Sequence, residues 1–282
     1  MSTGTVITHT ADSIFEYLQI INELPTTSAK TDIFVYRGQS DKAWQFQSGI
    51  MRAQHKRFLR YERDAVRELI AVHPAEFDDD RSMFDKLVRM QHFNLPTRLL
   101  DVTKNPLVAL YFAVENESST DGCVQYIRVP PGRIKYFDSD TISCVSNLCN
   151  LSSEEKQEIS TTLEAASSIK GLKAIKRLVH FIRDEKPSFA NEIRPSDLET
   201  PWLVWPKLSN RRIVAQSGAF VIFGLPPKRP ATSTNAIRVR GIEIPSSSKR
   251  DIKQNLDRLG INRSALFPEI DQAAKYIIDR YR

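Results

Sequence analysis

Few residues in this chain are suited to chemistry. Arg37-Gly38 closes an apolar run: a planar guanidinium offers paired donors to a phosphate, and the glycine removes a side chain that would obstruct a ligand. His92 ends a helical pattern, where a histidine serves as a general base or as a packing residue. Thr97 or Thr103 supplies a hydroxyl to a ligand, or Thr103 caps the helix that follows it. Arg98 and Asp101 read as an ion pair or a turn that shapes a bend, and Asp101 is also a candidate partner for Arg37. Trp202 and Trp205, each beside a proline, form a stacking platform for a base or cover a core edge. The chain has no phosphate-binding glycine loop, Gly-x-Ser-x-Gly elbow, His-Glu-x-x-His or Gly-x-Gly-x-x-Gly. With five scattered histidines and three cysteines outside any Cys-x-x-Cys, no metal site is expected.

The spacing of these residues is more specific than their types. Val35-Tyr36-Arg37-Gly38-Gln39-Ser40 forms one segment, and residues 91–113 form a second, with His92, Pro96, Thr97, Arg98, Asp101, Thr103, Asn105 and Pro106 in order. A third spans 212–220, and a fourth runs from Leu259-Gly260-Ile261 to Leu266-Phe267-Pro268-Glu269. Together they resemble the FRG domain, a family named for a Phe/Tyr-Arg-Gly motif, over about residues 30–270, with 138–200 the least covered and Tyr36 in the place of Phe. More remotely, the order of motifs is similar to that of Arg-Ser-Glu type ADP-ribosyltransferases. That resemblance implies an NAD-binding site, with NAD as substrate for ADP-ribosyl transfer or NAD cleavage, in a prokaryotic defence or toxin-type effector. On that reading the candidate reacting set is Arg37, His92, Thr97 and Gln216, and the candidate NAD-binding set is Tyr36, Arg37, Gly38, Gln39, Arg98, Asp101 and Thr103. Gln216 stands where a Glu is expected. An amide can hydrogen-bond a ribose hydroxyl but does not stabilise positive charge as a carboxylate does, which leaves Glu243 as the alternative.

The elements that must carry these residues follow from periodicity. Ile14, Tyr17, Leu18 and Ile21 predict a helix over 11–23 with Thr10 as cap, and a strand over 33–36 leads to Arg37. Helices are expected at 59–72 and 81–92, the second with Phe84, Leu87, Val88 and Gln91 along one face. Asn105-Pro106 opens a helix over 106–115 that is apolar nearly all round and therefore buried. Strands are expected at 124–129, 213–216, 219–223 and 237–244, with a bulge at Ser217-Gly218 and a loop over 225–236. Residues 138–200 read as a helical insertion, with a capping box at Ser152 and Glu155 and an apolar stripe of Leu172, Ile175, Val179 and Ile182. Two helices, 249–259 and 269–281, close the chain, with Gly260 at a helix end. Strands scattered among helices predict a single mixed α+β domain with a central, largely antiparallel sheet, its core in 30–137 and 201–270.

Composition sets the wider frame. The 282 residues carry a formal charge of +6, with 15 Lys+Arg against 6 Asp+Glu in residues 201–282, so residues 1–200 are net acidic. This asymmetry supports a second function class: a non-enzymatic module binding nucleic acid or protein through a C-terminal face of Arg211, Arg212, Lys228, Arg229, Arg238, Arg240, Lys249, Arg250 and Lys253. A metal-dependent nuclease using Asp101 and Glu115 ranks third, since their spacing matches no ligand pattern. An antitoxin or other partner protein is a further expectation. Three cysteines, no leader and no apolar run near the ~20 residues that span a bilayer point to a reduced, cytoplasmic protein without membrane attachment.

Overall fold

A computed structural model describes residues 5–25, 32–116, 119–165, 167–190, 192–226 and 236–270, together with 274, 276 and 278. Its first half runs β1 (Val6–Thr10), α1 (Ile14–Glu23), β2 (Ile33–Gln39), α2 (Lys56–Arg60), α3 (Glu62–Val72), α4 (Met83–His92), β3 (Leu99–Thr103), α5 (Pro106–Val114), β4 (Gly122–Val129) and β5 (Ile134–Tyr136). Four helices follow: α6 (Asp140–Ser146), α7 (Ser153–Glu164), α8 (Lys173–Glu185) and α9 (Pro195–Glu199). Then come β6 (Trp202–Trp205), α10 (Arg211–Ala215), β7 (Gly218–Ile222), β8 (Arg238–Ile244), α11 (Lys249–Arg258) and α12 (Arg263–Leu266). The strands form one sheet in the order β1-β8-β4-β2-β3-β7-β6-β5, antiparallel except for the β1–β8 and β5–β6 pairs. The fold is therefore the expected mixed α+β one with a largely antiparallel sheet.

Local chemistry explains most of these elements. The capping box at Ser152 and Glu155 starts α7, and Ala174, Ile175, Leu178, Val179 and Ile182 make the buried stripe of α8. Asn105 Oδ1 accepts from the Leu107 amide at 2.9 Å, and Pro106 fills the first turn of α5. Gly260 takes a φ of 78° just past α11, where a left-handed residue ends a helix. Three expectations are corrected. Thr10 ends the unforeseen strand β1, and Ser13 caps α1 instead. Residues 59–72 break at Tyr61 into α2 and α3. Residues 213–216 are not a strand: Asn210 caps the short helix α10, Gln216 ends it, and Ser217 turns into β7 with a φ of 47°. Residues 227–235 of the expected loop and most of the helix expected at 269–281 lie outside the described residues.

The sheet divides into two halves with separate cores. Tyr36, Val124, Tyr126, Ile242 and Ile244 pack under α1, α5 and α11, while Leu99, Val204, Phe220 and Ile222 pack under α4, α6 and α8. Val35, Leu100, Val102, Ile127 and Val221 form a third cluster on the opposite face. β2 is paired to β4 along its whole length and β3 to β7 likewise, but β2 and β3 meet only at Tyr36 opposite Thr103. The middle of the sheet is thus a seam held by one residue pair.

Glycine sets how closely α5 lies on that seam. A Cβ on Gly38 would come within 1.8 Å of the Ala109 carbonyl oxygen, and one on Gly122 within 2.4 Å of the Ala113 oxygen one turn later. Backbone of α5 fills the space that a side chain would need.

Candidate functional site

The cleft opens beside the seam, just beyond the Tyr36–Thr103 pair. Two chambers of about 270 and 280 Å³ share Arg37, Asp101, Val102, Arg212 and Gln216 as common walls. Arg52, His55, Gln91 and His92 complete the first. Tyr36, Gly38, Gln39, Trp44, Phe112 and Glu115 complete the second. Residues 37, 101 and 216, far apart in the chain, therefore converge because β2, β3 and the α10–β7 turn are neighbours in the sheet.

Arg37 is anchored where the ladder fails. Its Nη1 donates to the main-chain carbonyl of Asp101 at 2.8 Å, and its buried Nε has no partner among the described residues. Burial lowers its pKa to about 10, opposed by the Asp101 carboxylate and aided by Arg52, so the guanidinium remains charged at neutral pH. The Asp101 side chain is exposed at the centre of an otherwise buried strand and accepts from Gln91 Nε2 at 2.7 Å. Thr97 in turn donates to Gln91 Oε1, which orients that amide. Arg52 and Arg212 add two cations, stacked respectively over Trp44 at 5.6 Å and over Phe267 at 4.8 Å. Among the described residues, none of these three arginines has a carboxylate within ion-pair distance.

His92 lies in the wall of the first chamber with Nε2 3.7 Å from Glu269 Oε1. Desolvation, reinforced by Arg212 and Arg89 against Glu269, lowers its pKa and favours the neutral ring. Gln216 reaches the cleft from the end of α10, with Nε2 donating to the Leu266 carbonyl at 3.0 Å. Phe267 follows, in edge contact with Phe112 and under the Arg212 guanidinium, so residues 266–269 pack against side chains of the cleft wall.

The FRG resemblance is borne out over the first part of the span expected for it. Residues 32–122 match the FRG domain. The matched segment holds β2, β3 and α5, and so contains the Arg-Gly motif, the glycine-dependent packing of α5 and Asp101 together. Neither the curated proteins nor the solved structures contain a match to the chain.

Other expected residues are placed differently. Gly38 lines the second chamber, but its missing side chain makes room for α5 rather than for a ligand. Gln39 is buried, with Nε2 donating to the Trp44 carbonyl at 2.8 Å. Thr103 lines the second chamber, but its hydroxyl is engaged in structure, donating to the Gln216 carbonyl at 2.7 Å and accepting from the Asn105 amide at 2.9 Å. Thr97 and Arg98 do not line the cleft. Arg98 turns into the core, where Nη2 meets Glu62 Oε2 at 2.6 Å and Nη1 meets the Gly224 carbonyl at 2.8 Å. The Arg98–Asp101 pair does not form, since residues three apart on an extended segment face opposite sides. Glu243 is absent from the cleft walls and pairs with Lys42 at 3.1 Å, two strands away on β8. Trp202 is buried and donates to the Asp197 carbonyl at 3.1 Å, and Trp205 three residues on faces the other side, so the two make no joint platform.

The basic C-terminal residues are not all displayed on an open surface. Lys249 is buried with Nζ on the Ser40 carbonyl, Lys253 donates to the Glu115 carbonyl, Arg212 lines the cleft, and Lys228 and Arg229 lie outside the described residues. Arg52 and Gln91 were not singled out by the sequence as site residues; the signals were a cationic run at 52–60 and an amide immediately before His92. Among the described residues no group of three or more His, Cys, Asp or Glu is placed to hold a metal ion, and no helix is long and apolar enough to cross a membrane.

Proposed function

We propose that the cleft binds NAD and that the protein acts by ADP-ribosyl transfer or NAD cleavage. The convergence of Arg37, Arg52 and Arg212 on one cleft, with no carboxylate within ion-pair distance among the described residues, supports this reading most directly. A buried guanidinium with a free Nε donor calls for an anionic acceptor, and a diphosphate supplies several. Each chamber falls just below the ~300 Å³ at which ligand clefts begin, so a dinucleotide would extend across both. Asp101, common to the two chambers, takes the part of the carboxylate that Gln216 cannot play.

In that arrangement the bond between ribose C1′ and nicotinamide breaks with its electron pair going to the nicotinamide, which leaves neutral. Positive charge develops at C1′, beside the Asp101 carboxylate. A water or an acceptor hydroxyl forms the new C1′–O bond, and its proton passes to neutral His92. The setting, a defence or toxin-type effector with a macromolecular target or a restraining partner, rests on the motif resemblance alone. Calorimetric titration with NAD and an assay of nicotinamide release test the proposal. Binding and release that vanish in Arg37→Ala, with an unchanged melting curve, support it; a wild-type protein that neither binds NAD nor releases nicotinamide overturns it.

A further inference from the structure

Beside the cleft, residues 50–61 contain Arg52, Lys56, Arg57 and Arg60, with His55, and not one acidic residue, although they lie in the net-acidic part of the chain. They fold as a 3-10 turn, Ala53–His55, running into α2. Lys56, Arg57 and Arg60 are exposed, and none of the four cations is ion-paired among the described residues. The arrangement opposes local stability. Lys56 sits in the first turn of its helix, where the backbone dipole disfavours a cation, and Arg60 follows Lys56 at i+4 and Arg57 at i+3, spacings at which like charges repel. The neighbouring helix α3 contrasts with it, since there Arg63 pairs with Asp64 at 3.0 Å and Glu62 is buried against Arg98 and Lys156.

Exposed rings bracket the cations. Trp44, 44% exposed, carries the Arg52 guanidinium over its face, and Tyr61, 55% exposed, stands at the end of α2. We propose that this surface docks single-stranded nucleic acid, the cations on its phosphates and the rings on its unpaired bases. A duplex would use the cations and leave the rings without bases to stack on. The strand would pass the mouth of the cleft, because Arg52 lines one chamber and Trp44 the other. Lys56, Arg57, Arg60 and Tyr61 line neither chamber, so the proposal holds whether or not NAD enters the cleft.

Fluorescence anisotropy of labelled single-stranded DNA and RNA oligonucleotides, without NAD and over a salt series, tests this. With four phosphate contacts and ~0.7 per contact, the slope of log affinity against log salt is expected near −3. The double charge reversal Lys56→Glu/Arg57→Glu should weaken binding at least ~10-fold and flatten that slope by about 1.4. Tyr61→Ala should weaken binding roughly 5-fold or more with the slope unchanged. Arg238→Glu/Arg240→Glu, on the remote strand β8, should change neither, and matched melting curves confirm that the variants fold. Absence of binding, or equal binding by the Lys56/Arg57 variant, overturns the proposal. So does retention of polyglutamate but not of oligonucleotide, which would assign the surface to an acidic protein.

Discussion

Arg37 Nη1 and the Asp101 carbonyl oxygen stand 2.8 Å apart across the seam where β2 and β3 stop pairing. A side chain thereby takes a carbonyl that the interrupted ladder leaves open, while Nε has no partner among the described residues. Replacement of Arg37 by Lys keeps a charge but not the fork, so NAD affinity should fall by at least ~10-fold, as for loss of a charge-assisted hydrogen bond. Calorimetry on Arg37→Lys checks this.

Gly38→Ala should damage the fold before any ligand is involved. Its Cβ would stand 1.8 Å from the Ala109 oxygen, and overpacking against backbone costs about 3 kcal/mol, or roughly 6–12 °C in Tm for a chain of this size. Scanning calorimetry without NAD reads the effect; an unchanged Tm would return Gly38 to a ligand-clearing role.

Glu62 holds Arg98 and Lys156 at 2.6 and 2.7 Å in the core. Desolvation pushes its carboxyl up, but the two cations outweigh it, so its pKa is lowered below the ordinary Glu value. A carboxylate with a depressed folded-state pKa contributes stability above its unfolded pKa and loses it as pH falls through the folded one. The acid limb of stability should therefore include Glu62. Glu62→Ala, which strands two cations, should cost about 3–5 kcal/mol at neutral pH and flatten that limb, as urea titrations at several pH values would reveal.

His92, with its pKa lowered chiefly by burial, should be neutral at pH 7. If it accepts the proton of the attacking group, nicotinamide release loses rate only below the ordinary His value near 6.5, as the ring charges. His92→Gln should remove that acid limb and lower the rate ~10²-fold or more in a pH-rate profile.

Gln216→Glu should not restore chemistry by supplying the expected carboxylate. The amide donates to the Leu266 carbonyl, so the change sets an anion against an acceptor, at a cost of about 1–3 kcal/mol. Faster hydrogen exchange in residues 263–269, with no gain in nicotinamide release, is the expected result.

The sequence by itself determined the features that depend on near neighbours. The strand that carries Arg37, though it runs on through Gly38 to Gln39 instead of ending at Arg-Gly, the Asn105-Pro106 start of α5, the Ser152–Glu155 box and the buried stripe of α8 are all written within a few residues. The 213–216 run was misread because a short β-branched stretch has no period of its own, and the Asn210 cap decides it as helix. Only the tertiary structure decided the partners. Arg98 finds Glu62 rather than Asp101, Gly38 yields its space to Ala109, Gln216 holds Leu266, and Arg52 and Arg212 line the same chamber as Arg37. Such contacts are set by the order of strands in the sheet and by the single-pair seam between β2 and β3, and no periodicity along the chain encodes which distant segments that order brings together.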